Sequence, residues 1–143
     1  MLHTGKVVSV IVASRDMIEK RREELKRFLT GFYLSWWYYA NNPQAMNQQF
    51  LKDSKLGFSE NALNKAASIE PNLDARSLTD INMVFSEEDF KVVDLASTYL
   101  LQRGAIKKVI DVRQSRYLDT SLIYEVIDNA EKLKDLLSKI HEK

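Results

Sequence analysis

The sequence predicts a mostly α-helical protein with one or two β-strands. The 143 residues include only four glycines and two prolines, so few positions interrupt a helix. Through most of the chain, apolar residues recur at spacings of three and four, which is the period of an amphipathic helix. The exception is a run rich in β-branched residues near the N-terminus, which is typical of a strand.

Composition limits the classes of function. The length suits one domain, which buries roughly 70% of the surface that its unfolded chain exposes. The 21 basic and 20 acidic residues nearly cancel, which argues against a nucleic-acid partner because no excess of positive charge is present to neutralise phosphates. The sequence has no cysteine, which removes disulfides, thiolate nucleophiles and cysteine-ligated zinc together.

The strand prediction covers Lys6–Ala13, between Gly5 and Ser14. Its apolar run is too short for a membrane-spanning helix and lacks the pattern of a signal peptide, so no signal peptide is expected in the chain as given. A single strand has nothing to pair with inside its own domain. We therefore expect either that part of the fold is missing or that this strand pairs with another chain.

A long helix is predicted from Asp16 to the Asn41-Asn42-Pro43 sequence, where the proline forces the preceding residue out of the helical region. Its second half, FYLSWWYYA, is apolar nearly all round. We interpret the rings as core packing rather than as a ligand cage or a membrane belt, because aromatic residues at helical spacing bury large areas without a ligand. The predicted buried stripe is Leu25, Phe28, Leu29, Phe32, Trp36 and Tyr39.

Three further helices are predicted before the C-terminal one. The first is PQAMNQQFLKDS, residues 43–54, and the second runs from the cap Ser59 to about Ile69, before Pro71. Residues 72–85 are expected to form a loop with a helical turn at residues 79–83. The third helix follows a capping box of Ser86 and Asp89 and ends at Gly104.

In that third helix, the residues predicted to face the core are Phe90, Val93, Ala96, Leu100 and Leu101. The segment after it, residues 105–120, is expected to be irregular or to contain a short strand at Val109–Val112.

The final helix is predicted from Thr120 to about His141. Its apolar residues follow alternating steps of four and three, a spacing that favours packing against a partner helix. The same pattern fits packing onto the parent domain or a two-helix interface in a homodimer, and the sequence leaves both open. We call these residues the C-terminal stripe: Val126, Ala130, Leu133, Leu137 and Ile140.

The sequence predicts neither a catalytic nor a metal site. The two histidines, His3 and His141, lie near opposite ends of the chain without a metal-binding spacing. Glu87 and Glu88 stand at a helix start, where the helix dipole explains them. The isolated glycines form no phosphate-binding loop, so no cofactor is expected. We therefore predict a protein that is not an enzyme.

Four passages together resemble the C-terminal part of the periplasmic substrate-binding proteins of ABC importers. The similar branch of that family carries taurine, alkanesulfonates, nitrate and pyrimidine precursors of thiamine. The likeness lies in the order of a strand, a Ser-Arg turn, an Asn-Pro helix break, a "Leu-Gly-hydrophobic-Ser" joint and a late helix ending at glycine. The passages are VSVIVASRDMIEKRREELKRFL, LSWWYYANNPQAMNQQFLKDSKLGFSENAL, FKVVDLASTYLLQRGAIKK and VIDVRQSRYLDTSLI.

This resemblance implies a fold and a function. Residues 1–123 would be the C-terminal portion of an α/β type II periplasmic-binding-protein fold, and residues 124–143 an amphipathic helical extension. The expected function is a non-catalytic extracytoplasmic solute-binding module, represented by a fragment, with a small-molecule ligand and a cognate ABC permease as partners. Its expected location is the periplasm or another extracytoplasmic space. Most family ligand contacts belong to an earlier part of the fold, so no ligand-contacting residue is assigned.

The extension also suggests an alternative. A family domain fused to a sensor kinase would continue past residue 123 as a connecting helix. The alternative hypothesis is thus a sensory or protein-interaction module that dimerises through the C-terminal stripe.

Overall fold

A computed structural model describes residues 8–115, 118–130, 132 and 133. Within these residues the regular structure is helical, and no strand is present. The six α-helices are α1 (Arg15–Lys20), α2 (Arg22–Asn41), α3 (Pro43–Ser54), α4 (Glu60–Ala67), α5 (Glu87–Gln102) and α6 (Ser121–Asp128).

The predicted strands, and with them the α/β type II fold, are wrong for the described part of the chain. Residues 8–13 have no regular secondary structure, and Val10 and Val12 are 60% and 87% exposed. At the second predicted strand, the Ile110 amide donates to Ser97 Oγ at 3.1 Å instead of to a neighbouring strand. A strand forms only when another strand accepts and donates its backbone hydrogen bonds, and the described residues supply none.

The chain divides into two compact units. Unit 1 comprises Met1–Arg22 and Val84–Leu122, and unit 2 comprises Glu23–Met83 and Ile123–Lys143. Helices α2 and α6 each contribute to both units. The predicted division into residues 1–123 and 124–143 concerned the family resemblance and stays a prediction.

Unit 2 contains most of the buried apolar residues. The row on α2 is Leu25, Leu29 and Tyr33, spaced by four residues, so these side chains lie one above another on one face of the helix. The 3-10 helix Leu78–Asp80 and the segment from α6 onward supply the rest. The buried apolar set of unit 2 is Leu25, Leu29, Tyr33, Leu78, Ile81, Ile123, Val126, Ala130 and Leu133.

The stripe predicted for α2 is partly wrong. Phe28 and Phe32 are 56% and 36% exposed, whereas Tyr33 is fully buried. The Tyr33 hydroxyl donates to the Leu78 carbonyl at 2.7 Å, which satisfies the one polar atom of the ring inside the core. Burial also raises the pKa of Tyr33, and the nearby charge of Asp80 adds to this effect.

The helix ends follow their sequence signals. Ser59 Oγ accepts from the Ala62 amide at 3.2 Å, which confirms the predicted cap of α4. Ser86 and Asp89 form the predicted capping box of α5, and Gly104 after its end has a φ of +69°, the left-handed conformation that glycine tolerates. The predicted long first helix is interrupted at Arg21, so that α1 and α2 are separate helices.

The segment between α4 and α5 is ordered by short polar contacts. It contains two 3-10 helices, Pro71–Asp74 and Leu78–Asp80, where a single turn was predicted. The Asn82 amide donates to Asn72 Oδ1 at 2.8 Å, and Asn72 Nδ2 donates to the Asn82 carbonyl at 3.1 Å. This reciprocal pair closes the loop and holds Leu78 and Ile81 at the core.

Unit 1 is built differently, because its described residues include only one buried apolar side chain, Leu122. Along α5, Ser97 is the only fully buried residue, while Leu100 and Leu101 are 42% and 37% exposed. The prediction that these two leucines face the core is therefore wrong. The described part of unit 1 has no further layer to cover them.

We expect Tyr33→Phe to destabilise the protein by about 1 kcal/mol, because the Leu78 carbonyl loses the hydrogen bond from the hydroxyl and keeps only the one from the Ile81 amide at 3.3 Å. Urea unfolding followed by circular dichroism measures the change. The matched control is Tyr124→Phe, at a residue that is 51% exposed, so its unfolding curve should match that of the wild type. Equal curves for both variants and the wild type would contradict a structural role for this hydrogen bond.

Candidate functional site

A polar chain in unit 2, centred on a buried asparagine, joins three helices. The Tyr39 hydroxyl of α2 donates to Asn47 Oδ1 of α3 at 2.5 Å, and Asn47 Nδ2 donates to Asn64 Oδ1 of α4 at 2.8 Å. Asn47 is only 3% exposed. Burial raises the pKa of Tyr39, with a smaller contribution from the charge of Glu70, so the hydroxyl is neutral and available as a donor at neutral pH.

Sequence reasoning missed Asn47. Its only signal was weak: Asn47 stands one turn before Leu51, on the side of α3 where an apolar residue is expected. Because each member of the chain has a partner, the arrangement fixes the register of α2, α3 and α4. No buried side-chain nitrogen or oxygen in the described residues lacks a hydrogen-bond partner.

The aromatic residues of α2 form a strip along one helix. The ring centres of Phe28 and Phe32 are 6.3 Å apart, those of Phe32 and Trp36 are 6.5 Å apart, and those of Trp36 and Tyr39 are 6.1 Å apart. A cage for a cation or a planar ligand needs rings that face a common point. Here the rings follow one another along α2, so they stabilise its surface without enclosing a space.

Two charged contacts join α2 to α6. In unit 1, Arg22 Nη2 donates to Ser121 Oγ at 2.9 Å, and Arg22 Nη1 lies 3.7 Å from the Asp119 carboxylate. The hydrogen bond from the Ser121 hydroxyl is the main cause that lowers the pKa of Asp119. In unit 2, Lys26 Nζ lies 3.4 Å from the Glu125 carboxylate. These side chains are 31% to 41% exposed, so each pair contributes only modestly to stability.

A second cluster orders unit 1. The Arg113 guanidinium donates to Glu87 at 2.9 Å and to Asp94 at 3.2 Å, and it lies 4.4 Å from the centre of the Phe90 ring. Both carboxylates belong to α5, so Arg113 holds the segment after α5 against that helix. These contacts indicate a structural role for the guanidinium.

The described residues contain little that suits a small ligand. No group of three or more His, Cys, Asp or Glu side chains among them has the geometry to hold a metal ion. A shallow depression of about 390 Å³ lies where α2 meets α3, lined by Asn41, Asn42, Pro43, Gln44 and Ala45. In the same part of the chain, none of the helices combines the length and the apolar character needed to cross a membrane.

The residues of the C-terminal stripe fall in two groups. Val126, Ala130 and Leu133 are buried, with exposures of 2%, 2% and 7%. Leu137 and Ile140 lie outside the described residues. A dimer interface at this stripe stays a prediction. Leu133→Lys would bury an unpaired charge, so this substitution tests the core.

Among its described residues, unit 1 exposes many apolar side chains for the one that it buries. Nine large apolar residues of this unit are 37% to 87% exposed. They come from the segment before α1, from α5 and from the segment after α5. We call them the unit 1 apolar residues: Val10, Ile11, Val12, Leu95, Tyr99, Leu100, Leu101, Val109 and Ile110.

Comparison of the chain with protein-family models, with curated proteins and with solved structures finds no match.

We expect Asp119→Asn to make stability less dependent on acid pH. Because the folded-state pKa of Asp119 is lowered, its contribution is present above the unfolded value of about 3.9 and is lost as the pH falls through the folded value. Urea unfolding from about pH 5 down to about pH 2 should therefore show a shallower decline for the variant than for the wild type. Asp128→Asn, at an exposed position, is the control, and identical slopes for all three proteins would contradict the contribution of Asp119.

Proposed function

We propose that this chain is a non-catalytic protein-interaction module that binds another polypeptide through unit 1. The observation that supports it is an imbalance among the described residues of that unit: nine large apolar side chains are exposed, and one, Leu122, is buried. Large exposed apolar areas on soluble proteins are characteristic of interaction sites.

The energetics favour a covering partner. Burying a leucine, isoleucine or valine side chain stabilises by about 1.5–3 kcal/mol, while ordering each residue costs about 1–2 kcal/mol of backbone entropy. The helices of unit 1 are ordered, but its described residues bury little apolar surface. A partner that covers the unit 1 apolar residues supplies the missing burial.

This proposal keeps the interaction hypothesis from the sequence and moves the binding surface. The three described residues of the C-terminal stripe are already buried, so unit 1 is the better candidate. A sensor kinase or a cognate ABC permease, suggested by the family resemblance, is one kind of partner that this surface would serve.

A second candidate function is solute binding of the ABC-importer type in an extracytoplasmic compartment. The observation that favours it concerns two helix junctions. Helix α2 ends and α3 begins at Asn42-Pro43, and α4 starts at the cap Ser59 after Gly57. These are the joints on which the family resemblance rests. The first joint carries the shallow depression lined by Asn41, Asn42, Pro43, Gln44 and Ala45.

To test the interaction role, Leu100 and Leu101 are replaced together by lysine. We expect the binding of the dye 8-anilinonaphthalene-1-sulfonate to fall and any self-association to weaken by at least about tenfold, because a tenfold change corresponds to 1.4 kcal/mol, less than the burial of one leucine. Both side chains are exposed, so helical circular dichroism should not change. The control replaces Leu56 and Phe58 of unit 2, each 52% exposed. Equal effects of the two double variants would contradict a special role for unit 1.

To test solute binding, thermal unfolding is measured with taurine, an alkanesulfonate, nitrate or a thiamine pyrimidine precursor, and with glucose as the control. A ligand at a hundredfold excess over its Kd stabilises by about 2.7 kcal/mol, which raises the Tm of a chain of this size by roughly 8 °C. No shift with any of the four solutes, at concentrations that saturate a millimolar site, would count against this candidate.

A further inference from the structure

The segment after α5 folds back onto that helix. Gly104, at φ +69°, reverses the direction of the chain, and its amide donates to the Leu101 carbonyl at 2.9 Å. Further along, the Ile110 amide donates to Ser97 Oγ at 3.1 Å. Residues three and four positions apart are neighbours on a helix, so Ser97 lies next to Leu100 and Leu101. The backbone of Ile110 therefore lies beside the turn of α5 that carries both leucines.

The end of α5 and the segment after it expose four large apolar side chains. We call them the return surface: Leu100, Leu101, Val109 and Ile110. Their exposures are 42%, 37%, 47% and 46%, so each side chain keeps more than half of its area covered by its own chain. The return surface is therefore a shallow apolar area, from which no side chain protrudes far.

Three exposed cations lie in the same stretch of chain, at Arg103, Lys107 and Lys108. None of them forms an ion pair with a carboxylate in the described part of the chain. Arg103 lies 5.3 Å from the centre of the Tyr99 ring. By contrast, Arg113 in the same unit is paired with two carboxylates. The return surface is thus bordered by positive charge that these carboxylates do not neutralise.

The sequence places no acidic residue among these groups. Between Asp94 and Asp111 the sequence LASTYLLQRGAIKKVI contains neither Asp nor Glu, although the whole chain has 20 acidic residues. Asp94 lies 3.2 Å from the Arg113 guanidinium, and Asp111 Oδ1 accepts from the Arg113 amide at 3.0 Å. Both acids at the ends of this run are therefore held by Arg113, and the charge along the return surface is positive.

Building on the proposed interaction role, we propose that the partner segment is an acidic amphipathic helix. Its apolar face would cover the return surface, as amphipathic helices cover apolar surfaces of other proteins. Its Asp and Glu side chains would lie beside Arg103, Lys107 and Lys108. Opposite charges arranged in this way around an apolar contact select the partner and accelerate binding.

Lipid and nucleic acid fit the return surface less well. Segments that bind a membrane surface bury their apolar face about 5–10 Å into the lipid, which requires side chains that stand clear of the fold. Those of the return surface are more than half covered. Nucleic acid would pair its phosphates with the three cations, but it would leave the four apolar side chains exposed to water.

The test titrates labelled synthetic peptides with the full chain and follows binding by fluorescence anisotropy. Three peptides share one helical pattern of leucines, and their polar positions are all glutamate, all glutamine or all lysine. We expect the glutamate peptide to bind at least about tenfold more tightly than the glutamine peptide, and the lysine peptide to bind most weakly. Added salt should reduce these differences, because it screens exposed charges.

Charge reversal identifies the cations responsible. In Lys107→Glu with Lys108→Glu, we expect the preference to reverse, so that the lysine peptide binds more tightly than the glutamate peptide. The control is Lys52→Glu with Lys65→Glu, at two exposed positions of unit 2. It changes the net charge by the same amount and should keep the wild-type preference. The same preference in both double variants would overturn the inference.

Further outcomes separate this inference from the interaction role. Equal binding of the three peptides, lost in Leu100→Gln with Leu101→Gln, would keep the interaction role and overturn the acidic partner. Binding of none of the peptides would also overturn the acidic partner, as would tighter binding of phosphatidylserine–phosphatidylcholine vesicles than of the glutamate peptide. The interaction role itself is judged by the lysine variants of Leu100 and Leu101.

Discussion

The ordered core of unit 2 depends on burying Tyr33 together with its hydroxyl. The ring is completely enclosed, and the hydroxyl donates to the Leu78 carbonyl at 2.7 Å. A buried phenol without an acceptor would be costly, so the position of Leu78 determines which face of α2 can be buried. With Tyr33 turned inward, Leu25 and Leu29 lie on the same face, and Phe28 and Phe32 are left at the surface.

The polar chain of Tyr39, Asn47 and Asn64 also pairs polar side chains by hydrogen bonds, and it links α2 to α3 and α4. Asn47 is buried, Tyr39 is half-buried and Asn64 is exposed, and each finds a partner on a different helix. An apolar contact tolerates small shifts, whereas a buried hydrogen bond loses its value when its geometry changes. The chain of amides therefore specifies how α3 and α4 are placed against α2.

Unit 1 contains backbone and apolar groups that find no partner among its described residues. Residues 8–13 have the composition of a strand, but a strand is stable only as part of a sheet. Helix α5 is well capped and carries leucines, yet its side chains remain exposed where no layer covers them. Both facts have their origin in one physical requirement, the pairing or covering of groups that water solvates poorly.

The sequence by itself determined the local structure. The caps Ser59 and Ser86, the Asn42-Pro43 break and Gly104 placed the ends of α3, α4 and α5 closely, because these signals act on neighbouring backbone groups. Tertiary structure decided the rest. Whether residues 8–13 form a strand depends on a distant partner, and whether Tyr33 or Phe32 is buried depends on an acceptor 45 residues away. The burial of Asn47 depends in the same way on two other helices. The spacing of apolar residues along the chain shows the period of a helix, but it does not show which helix faces contact each other. Those tertiary contacts determine which residues form the core and which stay exposed.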